Sequence, residues 1–215
     1  SYEWIKGAVF AKSGVEAALW DIVAQRAGEP LWKLWGGEKR TFPVGVSIGG
    51  KTIDDVLSLA DTAAGLGYRR FKVKIWPGFD EEPARALRER YPDHLLQVDA
   101  NSAYTMDNWQ RLQALDDLDL LLIKQPLYDD DIVLHSEISR QIRTPVCLDE
   151  SVHSLRDAQA AASLWRRNDA LDRLIINIKP PRVSGFTEAI EIAQYCRGEG
   201  IRTWIGGMLD SAWGK

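Results

Sequence analysis

Charged residues recur along this chain at the length of one strand–helix unit. Lys74, Asp99, Lys124 and Asp149 are each 25 residues apart, Lys179 comes 30 later and Gly206 a further 27. Each stands at or near the carboxyl end of a short apolar run. The runs are VGVSI from Val44, FKVKI from Phe71, LLQVD from Leu95, LLLI from Leu120, PVCLD from Pro145, LIINIK from Leu174 and RTWIG from Arg202. Between them, apolar residues at three- and four-residue spacing predict helices over 53–66, 80–90, 107–115, 131–141, 155–166 and 185–198. An earlier helix over 12–27 ends before GEPLWKLWGG. Strands alternating with helices at this spacing specify βαβ units and a parallel sheet. In a parallel barrel the carboxyl ends converge on one face, where the loops build the active site. One charged strand end is usually a solvated boundary; five in phase predict the rim of a site.

FKVKI shows which way the charges face. Lys72 and Lys74 share one side of a strand, while Phe71, Val73 and Ile75 point to the other. In a barrel the outward side packs on helices, so the lysines point inward. Two inward ammonium groups are costly unless they meet carboxylates, and Asp99 and Asp149 are the expected partners. Crowded ammonium groups depress one another's pKa, which lets a lysine act as a base near neutral pH. The competing reading leaves both lysines in water on an edge strand. Two strand-end aspartates suit a hard cation such as Mg2+, although two carboxylates alone make a weak site.

Together FKVKIWPGFD, LLQVDANSAY, PVCLDES, INIKPPRVSG and WIGGMLDSAWG resemble the o-succinylbenzoate synthase and N-acylamino acid racemase branch of the enolase superfamily. AKSGVEAALWDIVAQRAGEPLWKLWGG resembles the helix that leads into that family's barrel. The resemblance implies an incomplete (β/α) TIM-type barrel. Residues 1–40 would be a helical lead-in from the capping domain, and residues 41–215 strands one to seven of the barrel. Most of the α+β capping domain, with the last strand and helix, would lie outside the chain, as in a fragment. The implied chemistry is proton abstraction α to a carboxylate, with Mg2+ as cofactor. Dehydration to o-succinylbenzoate in menaquinone biosynthesis, or reprotonation in N-acylamino acid racemisation, would follow. By resemblance, Lys74 matches the base and Lys72 the lysine that tunes it and meets the substrate carboxylate. Lys179 matches the lysine on the other side of the substrate, and Asp99 and Asp149 the first and third metal ligands. Asp210 and Ser211 fall where the family often has glutamate and a small hydroxyl residue. Asn101 either supports the ligands or is a plain turn residue.

The family's second metal ligand is a glutamate followed by Gln-Pro. In this chain the position is Lys124, in IKQP. Three carboxylates, three lysines and Mg2+ carry the same total charge as two aspartates and four lysines with no metal. The expectation is therefore that the Lys124 ammonium reaches Asp99 and Asp149 and fills the metal's place. A lysine offers only three hydrogen-bond donors in exchange for a Lewis acid with open coordination positions. The competing reading is an inactive fragment or degenerate homologue in which Lys124 is a lesion.

GVSIGGKT, from Gly45 to Thr52, fits the phosphate-loop pattern G-x-x-x-x-G-K-[ST], which would make the chain a nucleotide hydrolase. Such a loop needs a buried strand before its first glycine. EKRTFP is polar and ends in proline, and Gly45 falls inside the expected strand. Lys51 reads as a solvated loop lysine, and Thr52 as an N-cap with Asp55 three residues on. A net charge of -4 gives no reason to expect nucleic acid or an anionic membrane as partner. The expected partner is a small-molecule carboxylate, with homo-oligomerisation left open. No apolar run is long enough to span a bilayer and no export signal opens the chain, so the cytoplasm is expected. His94, His135 and His153 share no ligand spacing; His153, after the DES turn, either edges the site or lies on the surface, and the surface is the expectation. Cys147 and Cys196 make neither a disulfide framework nor a zinc site. Trp76 either covers the substrate side or packs on its loop.

Overall fold

The computed structural model describes residues 4–208. Seven strands form one sheet in sequence order, and every neighbouring pair is parallel. They are β1 (Val46–Ile48), β2 (Arg70–Lys74), β3 (Leu95–Asp99), β4 (Ile123–Lys124), β5 (Val146–Leu148), β6 (Leu174–Ile178) and β7 (Arg202–Ile205). Helices α1 (Val9–Ala27) and α2 (Leu31–Leu34) precede the sheet. The connections carry α3 (Ile53–Gly65), α4 (Glu81–Arg90), α5 (Ile132–Ile138), α6 (Leu155–Arg167) and α7 (Phe186–Glu199). Among the described residues this is a curled sheet of seven strands of a (β/α) barrel. Asp210 and Ser211 lie outside the described residues.

Three expectations shift. The segment expected to be helical over 107–115 is a 3-10 helix, Trp109–Leu115. Asn108 Oδ1 accepts from Thr105 N at 2.9 Å, closing a turn that takes up the first residues of the expected helix. Gly45 lies just before β1 instead of inside it. Lys124 belongs to β4 itself, whereas the sequence suggested a strand over Leu120–Ile123 with Lys124 just past its end. The backbone ladder nevertheless starts early, because Leu121 N donates to Leu96 O at 2.8 Å.

The two faces of the sheet bury different things. On the outer face Phe71, Val73, Val98, Ile123, Leu148 and Ile176 pack under α3 to α7 in one large apolar cluster that includes Trp165 and Leu87. On the inner face a much smaller cluster of Leu122, Cys147 and Ile175, with Leu121 and Trp204 against it, fills the floor. The alternation of FKVKI therefore falls as the sequence requires, with Phe71 and Val73 buried outward and Lys72 and Lys74 half-buried inward.

Local signals set the element ends. Thr52 Oγ1 accepts from Asp55 N while Asp55 accepts from Thr52 N, a reciprocal cap that starts α3. Helix α1 is tied to the barrel by Glu16, whose carboxylate accepts from Phe186 N and Thr187 N at the start of α7. Gly185 permits this approach, since a Cβ there would overlap the Glu16 carboxylate. Cys147 and Cys196 are free and buried. Among the described residues no helix is long and apolar enough to cross a membrane.

Candidate functional site

The parallel register sets the strand ends side by side. Lys74 lies opposite Asp99, Asp99 opposite Lys124, and Lys124 opposite Cys147, two residues before Asp149. Neighbouring strands are about 4.8 Å apart, so long side chains from adjacent strands can meet over the inner floor.

They meet as an alternating row of charges. Lys72 Nζ is 3.1 Å and Lys74 Nζ 2.8 Å from Asp99 Oδ2. Lys124 Nζ is 3.1 Å from Asp99 Oδ1 and 2.5 Å from Asp149 Oδ2. Lys179 Nζ is 2.8 Å from Asp149 Oδ2, and the Arg182 guanidinium pairs with Asp149 Oδ1. Lys72, Lys74, Asp99, Lys124, Asp149 and Lys179 thus share one cluster at the carboxyl ends of the strands. Gly206 joins them from the far end of β7. A Cβ at Gly206 would lie 2.5 Å from Asn177 Oδ1 and 3.0 Å from Lys179 Cε, so any side chain there would have to displace Asn177.

Asp99 and Asp149 are 1% and 0% exposed, and Lys124 is 2% exposed. Burial alone would raise the Asp99 pKa. The Lys124 ammonium, then Lys74 and Lys72, outweigh burial and hold it at about 2. For Asp149 the same contest between burial and Lys124, with Lys179, also ends below the ordinary carboxylate value. Burial pulls the Lys124 pKa down, but Asp149 and Asp99 win and raise it, so the group stays an ammonium ion. Lys72 goes the other way, its pKa lowered chiefly by burial and then by the Lys124 charge, against the pull of Asp99. Its Nζ sits 5.4 Å from the centre of the Trp204 ring.

Three contributors escaped the sequence reading. Gln125 has a left-handed backbone, φ 40°, and brackets two strand ends. Its Oε1 accepts from Asp149 N at 2.9 Å, and its Nε2 donates to Ser151 Oγ at 2.7 Å. Arg182 reaches Asp149 because a turn after β6 folds back, Arg182 N donating to Lys179 O at 2.8 Å. Glu150 lies behind the row and accepts from Asn101 Nδ2 at 3.1 Å. Asn101 Oδ1 in turn accepts from Lys74 Nζ, so Asn101 supports the row as well as making its turn. The signal for Gln125 and Glu150 was their adjacency to Lys124 and Asp149. Arg182 carried none beyond being a cation in a loop.

A divalent metal ion does not fit this arrangement. Every oxygen of Asp99 and Asp149 already faces an ammonium or guanidinium group. Mg2+ needs those oxygens, near 2.1 Å, with room for water or substrate. Among the described residues no group of three or more His, Cys, Asp or Glu side chains could hold a metal ion.

The other candidates fall away from the row. The Lys51 and Thr52 N–H groups, which would cradle a phosphate, both donate to Asp55 Oδ2. That and the absence of a strand before Gly45 overturn the nucleotide reading. His153 is exposed. His135 is buried, its Nε2 accepting from Leu127 N at 3.0 Å, and burial lowers its pKa to about 4. Trp76 stacks on Phe79 of its own loop at 4.6 Å.

Residues 55–214 match the "Enolase C-terminal domain-like" family, and residues 1–36 match "Mandelate racemase / muconate lactonizing enzyme, N-terminal domain". The o-succinylbenzoate synthase of Geobacillus kaustophilus is 45% identical over 95% of the chain and 53% of its own length. The N-succinylamino acid racemase of Thermus thermophilus is 38% identical over 98% of the chain and 56% of its own length. A crystal structure of an unassigned enolase-superfamily member from Enterococcus faecalis superposes with a TM-score of 0.91 at 39% identity, covering 99% of this chain and 56% of the other. The chain therefore spans about half the length of these relatives.

Proposed function

This chain belongs to the enolase C-terminal domain-like family, and from that premise we propose that it carries the site of an enzyme that removes a proton α to a carboxylate. The observation that supports this most is the row itself. Lys74 stands at one end and Lys179 at the other, with the buried Asp99–Lys124–Asp149 bridge between them.

Four lysines and two aspartates leave the row positive, which draws a carboxylate substrate to the strand ends. Lys74, after its ammonium has given a proton to solvent, takes the α-proton on the neutral Nζ. The electron pair passes into the carboxylate, and the charge that develops is met by Lys72 and Lys179, preorganised by their aspartates. In a racemisation, Lys179 returns a proton to the opposite face. In a dehydration, the β-hydroxyl takes the proton that Lys74 Nζ removed and leaves as water, while the electron pair of the enolate forms the double bond. By the named relatives, the whole protein would be o-succinylbenzoate synthase-like, with N-acylamino acid racemase activity as its companion. It would serve menaquinone biosynthesis in the cytoplasm. The family's Mg2+ supplies a Lewis acid where it is bound; because its place here holds Lys124, no step is assigned to it.

Exchange of the α-proton of an N-succinylamino acid with deuterium, followed by NMR, tests the reading. Lys74→Ala should lower the exchange rate by roughly 100-fold or more. Exchange that persists in Lys74→Ala would refute the assignment. No exchange in either the chain or its Lys124→Glu variant would favour a catalytically silent homologue, a reading for which the seated Lys124 is the specific observation.

A further inference from the structure

We propose that Lys124 is the resident cation of this site, a tethered ammonium that makes the carboxylate pair independent of divalent metal. A single charge reversal at this position would convert the pair into a metal site. The inference stands on the ion geometry and holds whichever reaction the site performs.

Four observations carry it. First, the side chain is held where it is from both sides. Lys124 is central in a parallel triplet of strands, and its ammonium bridges carboxylates from β3 and from the end of β5, at 3.1 Å and 2.5 Å. Second, both aspartates are almost fully buried, so neither can turn to water to take another cation. Third, the flanking cations close the remaining oxygen positions, Lys72 and Lys74 on Asp99 and Lys179 and Arg182 on Asp149. Fourth, moving Lys124 aside to admit a metal would strand a buried ammonium. It would pull away from both of its ion-pair partners, toward an inner floor that includes the apolar Leu122, Cys147 and Ile175.

An ammonium and a divalent metal differ in what they allow. The ammonium satisfies the carboxylates through directional N–H donors and has no open coordination position. A carboxylate at position 124 would instead present a third anionic group to the space between Asp99 and Asp149, the ligand set a hard cation requires. Gln125 helps to keep that space in place, because its side chain fixes Asp149 N and Ser151 independently of what residue 124 carries.

Mn2+ serves as the probe, read by water-proton relaxation and by its effect on Tm. The chain as it stands should give no stoichiometric Mn2+ binding, and its Tm should not move with EDTA or with millimolar Mg2+. Lys124→Glu should melt lower without metal, bind one Mn2+ per chain roughly tenfold or more tighter than the parent, and regain Tm on adding Mg2+. Lys124→Gln, which removes the ammonium without reversing charge, covers a failure of the first variant to fold. It should melt lower than the parent and should show weak Mn2+ binding that Asp149→Asn abolishes. Stoichiometric Mn2+ binding by the parent chain that is lost in Asp99→Asn would overturn the proposal. So would a Lys124→Glu or Lys124→Gln variant that folds and binds no more Mn2+ than the parent. These are metal readouts, so they can fail while the α-proton exchange succeeds, or the reverse.

Discussion

Strands β2 to β6 bury Phe71, Val98, Ile123, Leu148 and Ile176 completely, whereas at the two flanks Val44 and Ile205 are 65% and 62% exposed. Helix α1 belongs with the flanks, since it leaves Phe10, Val15, Leu19, Ile22 and Val23 about half exposed. The centre is complete in itself. Its outer face is sealed by helices, and its inner face is sealed by opposite charges that answer one another. At the flanks β1 still packs Ile48 against α3 and β7 still meets α7, but the row of ion pairs does not reach them, and among the described residues β1 and β7 each have a strand neighbour on one side only. Stability and site therefore share the same five strands, and a change in one is felt in the other.

Substitutions should rank by region. Trp165, fully buried on α6, packs the outer face; Trp165→Ala should cost about 3–5 kcal/mol, read as a drop in urea midpoint. Lys124→Met should follow at about 3 kcal/mol, the low end for breaking a buried ion pair, because Lys72, Lys74, Lys179 and Arg182 still face the two carboxylates. Acid should act on the centre next. Asp99 has its pKa lowered from 3.8 to about 2, so its contribution is complete above pH 3.8 and fades as pH falls through 2. Roughly 2 kcal/mol should be lost over that window, visible in urea midpoints measured from pH 5 down to 2. Lys124, with a raised pKa, adds stability that is complete below its ordinary value of 10.5 and is lost only as pH climbs past the raised one. The smallest effect belongs to the flank: Ile22→Ala on α1 should change stability by about 0.5 kcal/mol or less. A large loss there would show that α1 is part of the centre.

Much of the centre was legible because two independent periods agree there. The 25-residue spacing places one charged strand end per unit, and the two-residue period of FKVKI says which way Lys72 and Lys74 face. The Thr52–Asp55 cap was legible for the same reason, a local pattern with one geometric outcome. Arg182 was not, since it reaches Asp149 through a turn that no apolar period describes. Gln125 was invisible as a bracket because its role depends on a left-handed φ, which sequence pattern does not mark for a glutamine. The helix expected over 107–115 failed where a side chain, Asn108, competed for the backbone that the apolar spacing alone would have made helical.

The most direct test is a diffraction map of the chain crystallised in Mn2+, phased to show anomalous scattering between Asp99 and Asp149. The account predicts no manganese peak there and continuous density for the Lys124 side chain reaching both carboxylates. A manganese peak within bonding distance of the two aspartates, with Lys124 swung away from them, would contradict it.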